Sequence, residues 1–241
     1  MSKTIVITGA TRGIGKAIVD HFVADASVDR LLLISKTPPT VRDTDRRLIH
    51  HSCDLSTNEG IESAIAFVRA SAPAVNLLVN NAGAISGGES FAEVSHAAFL
   101  SSFTLHAASH FLLARAMNPL FPIGDNNLIV NIGSIYGNLP DPYAVAYVAA
   151  KSAVPIITQL LAKELAPRVR VNSIAPGHFD TEMTRAAPPE YVNDVISKTP
   201  MKRLGHPNEI AQMVEFLWSP AGQFITGSHF RSDGGFWATV P

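Results

Sequence analysis

Six apolar runs of strand length, at residues 4–8, 30–35, 48–51, 75–80, 127–131 and 169–174, each end in a turn signal, and helix-length amphipathic stretches separate most of them. Strands that are apolar on both faces need cover on both faces, and right-handed crossovers supply it by laying helices against each side. The pattern predicts a doubly wound, Rossmann-like α/β fold, a mostly parallel sheet between two layers of helices. Helices are expected at about residues 13–24, 58–70, 96–118, 143–165 and 207–218. Two places strain this pattern. The span from Lys36 to Arg47 is short for a crossover helix and contains Pro38-Pro39, so a turn or loop is expected there. Pro155 falls inside the helix at 143–165, where it removes a backbone donor and should bend the rod.

No linker, charge run or low-complexity tract divides the 241 residues, so a single domain over 1–241 is expected. With 46% apolar and 16% charged residues, the chain can bury a large core and does not resemble a disordered one. The 19 basic and 20 acidic side chains nearly cancel. No general field therefore favours nucleic acid or an anionic membrane, and small molecules are the expected partners. No window approaches the roughly 20 apolar residues needed to span a bilayer. Met1 to Thr4 lead straight into the first strand, too short a leader for a signal peptide, and Cys53 stands alone. These features point to a soluble, cytoplasmic protein.

Directly after the first strand stands Thr8-Gly9-Ala10-Thr11-Arg12-Gly13-Ile14-Gly15, which opens into the first helix. Glycines permit a tight turn and the close approach of a pyrophosphate, while free N–H groups and the helix dipole favour its charge. Such a turn can be merely structural, but this one occupies the first βα connection, where dinucleotide sites form. About 20 residues on, where an NAD site offers a carboxylate to the ribose 2′-OH, the chain has Ser35-Lys36 instead. Lys36, with Arg12 reaching over from the turn, could pair with a 2′-phosphate, which favours NADP(H) over NAD(H). The alternative is a pair of solvated surface charges.

Tyr147 and Lys151 are four residues apart on a predicted helix and share one face. A free tyrosine titrates at about pH 10; an ammonium beside it favours phenolate and makes it a usable acid/base. Alone, Tyr-x-x-x-Lys arises often by chance. Thirteen residues earlier, at the end of the fifth strand, Gly133-Ser134-Ile135-Tyr136-Gly137 places Ser134 at the carboxyl edge of the sheet. Ligands sit at that edge, so Ser134 can hydrogen-bond a carbonyl or alcohol oxygen beside Tyr147.

With these residues the chain resembles the short-chain dehydrogenase/reductase family, of the ordinary single-domain type. The resemblance runs over nearly the whole chain. It takes in Thr8-Gly9 through Gly15, Asp54-Leu55, Asn80-Asn81-Ala82-Gly83, Ser134, Tyr147 with Lys151, Asn172 before Pro176-Gly177, Thr181 and Asp233-Gly234-Gly235. It implies that Tyr147 exchanges the proton, Ser134 orients the substrate, and Lys151 lowers the tyrosine's pKa and binds the nicotinamide ribose. Hydride chemistry belongs to the cofactor. By the same resemblance Asp54 meets the adenine, Asn81 and Gly83 line the cofactor groove, and Thr181 touches the carboxamide or pyrophosphate. The stretch from Asn80 to Gly83 could equally serve to stabilise the central strand. The cofactor set is Gly9, Thr11, Arg12, Gly13, Ile14, Gly15, Ser35, Lys36, Asp54, Leu55, Asn81, Ala82, Gly83, Tyr147, Lys151, Pro176, Gly177 and Thr181.

The pattern departs from the family at one position. An asparagine is due nine residues before Arg115, and His106 stands there. In the family that asparagine supports a water in the proton relay behind the lysine. Histidine titrates near neutrality and could carry protons itself, so His106 joins Ser134, Tyr147 and Lys151 as a catalytic candidate. His106 and His110 also have a metal-ligand spacing, but no acid follows His106 and no third ligand is apparent, so no metal is expected. His50 and His51 point to opposite faces of a strand.

Residues 178–204 mix Phe179, Met183, Pro188-Pro189, Tyr191, Val192 and Met201, as a mobile lid over an apolar or mixed ketone or secondary alcohol would. A packed surface loop is the alternative. His178, Phe179, Tyr136 and Tyr143 are the candidates for specificity. The family resemblance implies a dimer or tetramer formed through the two long helices and the C-terminal segment, where Phe236-Trp237 would suit burial in a partner. The expected function is an NAD(P)-dependent oxidoreductase. A dinucleotide-binding sensor without turnover, or an epimerase or dehydratase on the same fold, are the competing readings.

Overall fold

Every residue of the first strand, Thr4–Thr8 (β1), is buried, because it has a neighbour on each side and a helix layer above and below. It pairs in parallel with Arg30–Ser35 (β2) and with Leu77–Asn80 (β4). The remaining strands are Leu48–Ser52 (β3), Asn127–Ile132 (β5), Val169–Pro176 (β6) and His229–Ser232 (β7). All pairings are parallel, in the order β3-β2-β1-β4-β5-β6-β7. This is the computed structural model of the chain, and it describes residues 3–38, 45–85, 90–124, 126–141 and 144–239.

Alternation along the strands divides the core into two layers. Ile5, Ile7, Leu31 and Leu33 face helices Gly13–Val23 (α1) and Pro207–Trp218 (α8), through Ile18, Phe22, Ile210 and Val214. Val6, Leu32 and Ile34 face the other way, into the layer containing Ile61, Val68, Leu113, Met117 and Leu161. That layer comprises Asn58–Ser71 (α2), a long composite helix and Val145–Leu165 (α5). The composite helix runs as His96–Phe103 (α3), a π-helical turn at Thr104–Ala108, and Ser109–Met117 (α4).

Several expected features differ from what forms. The helix expected at 96–118 is interrupted by the π turn, where the Ser109 N–H reaches back to Thr104 O and the Ser109 hydroxyl takes Leu105 O at 2.7 Å. Helix α5 continues through Pro155 and starts at Val145; Tyr143 lies outside the described residues. Strand β7 was not expected, because a short edge strand with exposed and half-buried positions lacks the apolar run that marks the others. Between β2 and β3, residues 36–38 and 45–47 form no helix, and the intervening 39–44, with Pro39, lie outside the described residues.

The expectation that no segment reaches membrane-spanning length also needs correction. His96–Leu120 and Val145–Leu165 are long and apolar enough by composition, with mean hydropathies of 1.3 and 1.5. Each presents one face to the sheet layer and leaves apolar side chains such as Phe103, Phe111, Ile156 and Leu160 exposed on the other.

Candidate active site

The chain runs outward from β1 to β3 and then returns to β4 on the other side of β1, so the loops leaving β1 and β4 diverge and open a crevice. Across that crevice Asn81 clamps the glycine turn. Its Nδ2 donates to Thr8 O at 3.0 Å and to Gly9 O at 3.1 Å, while the Asn81 and Ala82 N–H groups both reach Thr8 Oγ1 at 2.9 Å. Asn80 instead donates to Asn131 Oδ1 at 2.9 Å inside the core. The asparagine pair thus has a structural task, and the adjoining residues 81–83 also line the crevice.

Gly15 presses on the Gly9 carbonyl, and a side chain there would collide with the turn itself. Helix α1 begins with no side-chain cap on Arg12, so its first N–H groups remain open. Gly13, at φ +53°, faces Thr181, whose methyl group would lie 3.3 Å from an added Cβ. Thr181 caps the short helix Glu182–Arg185 (α6) and so stands over the glycine turn.

The groove that results has a volume of about 290 Å³ and is lined by every residue of the cofactor set together with Ser134. The residues present fit a dinucleotide. Bare helix N–H groups and a glycine surface that no Cβ could share lie at its centre, with a cation and hydroxyls at its ends. At one end Lys36 Nζ is 2.6 Å from Asp54 Oδ2, an ion pair in which the lysine side chain is 75% exposed. Burial raises the Asp54 carboxyl, but hydrogen bonds from Lys36 and Ser56 outweigh it and hold it below its usual value. Arg12 is exposed nearby in the same lining. Cys53 also lines this end; burial and the Asp54 charge push its thiol up to about 11, which favours the neutral thiol over the thiolate.

At the other end stand Ser134, Tyr147 and Lys151. Ser134 Oγ accepts the Tyr136 N–H at 3.2 Å, which aims the oxygen and leaves its own proton to give. Lys151 is 3% exposed, its Nζ donates to Ile132 O at 2.7 Å, and it lies 5.8 Å from the centre of the Tyr147 ring. Burial lowers the ammonium to about 7. The Lys151 carbonyl lacks its helical donor because Pro155 stands four residues on, and Gly137 packs against it where an added Cβ would come within 2.7 Å. That contact seats the Ser134 turn on α5. The Ile132 carbonyl and Gly137 were not singled out from sequence, although Pro155 at that spacing was a usable signal.

Of the expected catalytic and cofactor-binding residues, His106 alone lies outside the groove lining; the specificity candidates Tyr136 and His178 lie outside it as well. It sits in the π turn, fully buried, with its ring edge-on to Tyr147 at 4.9 Å and 84°. Its Nε2 is 2.8 Å from Ala84 O. A carbonyl can only accept, so Nε2 carries the proton and the buried Nδ1 is left without a partner. Gly83 makes room for this ring, which would lie 3.0 Å from a Cβ there. Burial, then the Lys151 charge, lowers His106 to about 3. The expectation that it titrates near neutrality is therefore corrected: a dry site beside an ammonium keeps it neutral. His110 is buried with neither ring nitrogen bonded, and no cluster of three metal-ligating side chains occurs among the described residues. His50 and His51 bond in different directions, to Ser35 at 2.7 Å and to Ser63 at 2.8 Å.

The segment 178–204 contains two helices, α6 and Pro189–Lys198 (α7), and its ends are pinned together by Gly205 N to His178 O at 2.9 Å and Asp180 N to Gly205 O at 2.8 Å. Phe179, expected among the specificity residues, packs under Gly205 and also lines the groove. Phe236 does not wait for a partner subunit. It is buried in its own chain, 4.8 Å from the His178 ring, while the Arg231 guanidinium covers Trp237 at 5.1 Å.

A family model described as Enoyl-(Acyl carrier protein) reductase matches residues 9–237. The galactitol 2-dehydrogenase (L-tagatose-forming) of Cereibacter sphaeroides is 35% identical over 240 residues, 95% of this chain and 93% of that one. The crystal structure of a short-chain dehydrogenase/reductase, glucose/ribitol dehydrogenase, from Brucella melitensis is similar at 30% identity and a TM-score of 0.85, covering 97% of this chain and 96% of that one. A 4-hydroxyisoleucine dehydrogenase complexed with NADH is 28% identical with a TM-score of 0.91, over 99% of this chain and all (100%) of the other.

Proposed function

Because the chain belongs to the short-chain dehydrogenase/reductase family and is an oxidoreductase of alcohols and carbonyls that uses a nicotinamide dinucleotide, we propose that Tyr147 is its acid/base. The observation that carries this reading is the buried Lys151 ammonium held beneath the Tyr147 ring on one wall of the groove, opposite the glycine turn. A nicotinamide held in this groove would supply hydride to a ketone carbon, or take it up from a secondary alcohol. Ser134 donates its hydroxyl proton as a hydrogen bond to the substrate oxygen and fixes its position. Tyr147 gives that oxygen a proton in the reducing direction and takes it back in the other. Lys151 favours the phenolate left behind, and Ile132 O holds the ammonium in place. His106 acts as a positioning residue, walling Tyr147 from behind while anchored on Ala84.

Gly9 through Gly15 and Thr181 would hold the pyrophosphate, and Lys36 with Arg12 would meet a 2′-phosphate, so NADP(H) is the preferred cofactor. The Lys36–Asp54 pair does not oppose this, since an exposed pair is worth about 0–1 kcal/mol and yields to a dianion. Residues 178–204 form the lid. The exposed apolar faces of α3, α4 and α5 support a homo-oligomer, and a strict monomer by light scattering at micromolar concentration would contradict that. The oxidoreductase reading is tested by NADPH consumption against a panel of ketones, aldehydes and 3-oxoacyl thioesters. Carbonyl-dependent oxidation is expected, and its absence across the panel would overturn the reading.

A further inference from the structure

Three aromatic polar side chains from three separate elements meet beside the reacting groups. Tyr136 comes from the turn after Ser134, His178 follows Gly177 at the end of β6, and Tyr191 is on the lid helix α7. Tyr136 Oη lies 3.2 Å from His178 Nε2 and 3.3 Å from Tyr191 Oη, and Tyr191 Oη lies 3.4 Å from His178 Nε2. The His178 ring is edge-on to both tyrosines and packs on Phe236.

Hydrogen-bond counting shows this triangle to be incomplete. Burial lowers His178 to about 4, so near pH 7 its ring is neutral, with one N–H and one lone pair. If Nε2 accepts from a tyrosine, the proton is on Nδ1; if Nε2 donates, Nδ1 is a bare acceptor. Either way Nδ1 is buried and unpartnered. Burial also raises the Tyr136 hydroxyl above its usual value, so it remains a neutral O–H. Two tyrosyl oxygens, each with two lone pairs, thus share at most three protons with the imidazole, and acceptor capacity is left over. The spare tyrosyl lone pairs call for a further donor, and an alcohol O–H supplies one. Alkyl, ester and thioester groups cannot donate.

The location fixes which part of a substrate would arrive there. Tyr136 is two residues from Ser134, and its N–H donates to Ser134 Oγ at 3.2 Å, so the triangle is built on the turn that holds Ser134. The triangle therefore adjoins the Ser134 hydroxyl without including it. Only Val195 of α7 is buried, and Tyr191 is 43% exposed, so a bond made at Tyr191 also bears on how the lid rests on the wall.

We propose that Tyr136, His178 and Tyr191 form a polar subsite that selects carbonyl substrates carrying a hydroxyl on the carbon next to the reacting carbonyl, or the corresponding vicinal diols. The proposal rests on the oxidoreductase reading above and narrows its substrate class.

A matched pair of probes tests it: 1-hydroxybutan-2-one and pentan-3-one, which differ by a hydroxyl in place of a methyl. The wild type should reduce the hydroxyketone with a kcat/KM at least about ten-fold higher. In Tyr191→Phe and Tyr136→Phe, which keep the rings, that ratio should fall toward one, mainly through the KM of the hydroxyketone. A wild-type ratio near one, or a ratio unchanged in both variants, overturns the subsite. Ligand-observed NMR titration of both ketones against wild type and Tyr191→Phe needs no turnover and separates the two readings. Selective binding of the hydroxyketone without NADPH consumption overturns the redox reading and supports the subsite. Equal binding of both ketones overturns the subsite alone.

Discussion

The imidazole of His106 stands edge-on against the ring of Tyr147, centroids 4.9 Å apart, with its Nε2 tied to the Ala84 carbonyl at 2.8 Å. This contact places a neutral, fully buried side chain directly behind the tyrosine.

His106→Asn should keep the wild-type shape of the kcat–pH profile between about pH 5 and 9, because a group lowered to about 3 does not titrate there. His106→Ala should lower kcat and also lower the unfolding midpoint, since large-to-small changes in a core cost about 2–5 kcal/mol. A profile limb near neutrality that vanishes in His106→Asn would show that the histidine does ionise during turnover.

Lys151 makes the cofactor-free protein's stability depend on pH. Burial lowers the folded-state value from 10.5 to about 7, so between those values the unfolded chain binds more protons. Stability from this group therefore rises with pH through that window, and the full penalty is present below it. Lys151→Met should be more stable than wild type at pH 6, by an amount that shrinks by on the order of 4 kcal/mol as the pH approaches the upper limit. Denaturant midpoints of the two proteins across pH check this; a constant difference would contradict the burial argument.

Lys36→Glu should invert cofactor choice. It places a carboxylate beside Asp54 where the cation stood, which repels a 2′-phosphate and offers an acceptor to a ribose 2′-OH. Wild type should bind NADPH more tightly than NADH, with a preference that weakens as salt rises, and the variant should reverse the order. Tighter NADH binding by wild type would refute the NADP(H) assignment.

The fold was legible wherever burial on both faces forced a continuous apolar run. Residues 4–8, 30–35 and 207–218 form the expected elements with their expected bounds. It was illegible where an element has an exposed side, as in β7, or where local backbone geometry departs from a regular helix, as at Thr104–Ala108. Within the site, residues read from motif order converge on one groove. His106 was found as a departure from a pattern, but its neutrality could not be read, because it depends on burial and on Lys151 rather than on spacing. The Tyr136–His178–Tyr191 triangle joins positions up to 55 residues apart, a proximity only the folded chain reveals.

The most direct test of the account is kcat for NADPH oxidation by wild type and Tyr147→Phe on the same carbonyl substrate, with cofactor binding measured alongside. Loss of one phenolic oxygen should lower kcat by about 10²–10⁴-fold and leave NADPH affinity within about two-fold. Turnover equal to wild type in Tyr147→Phe would contradict the assignment of Tyr147 as the acid/base.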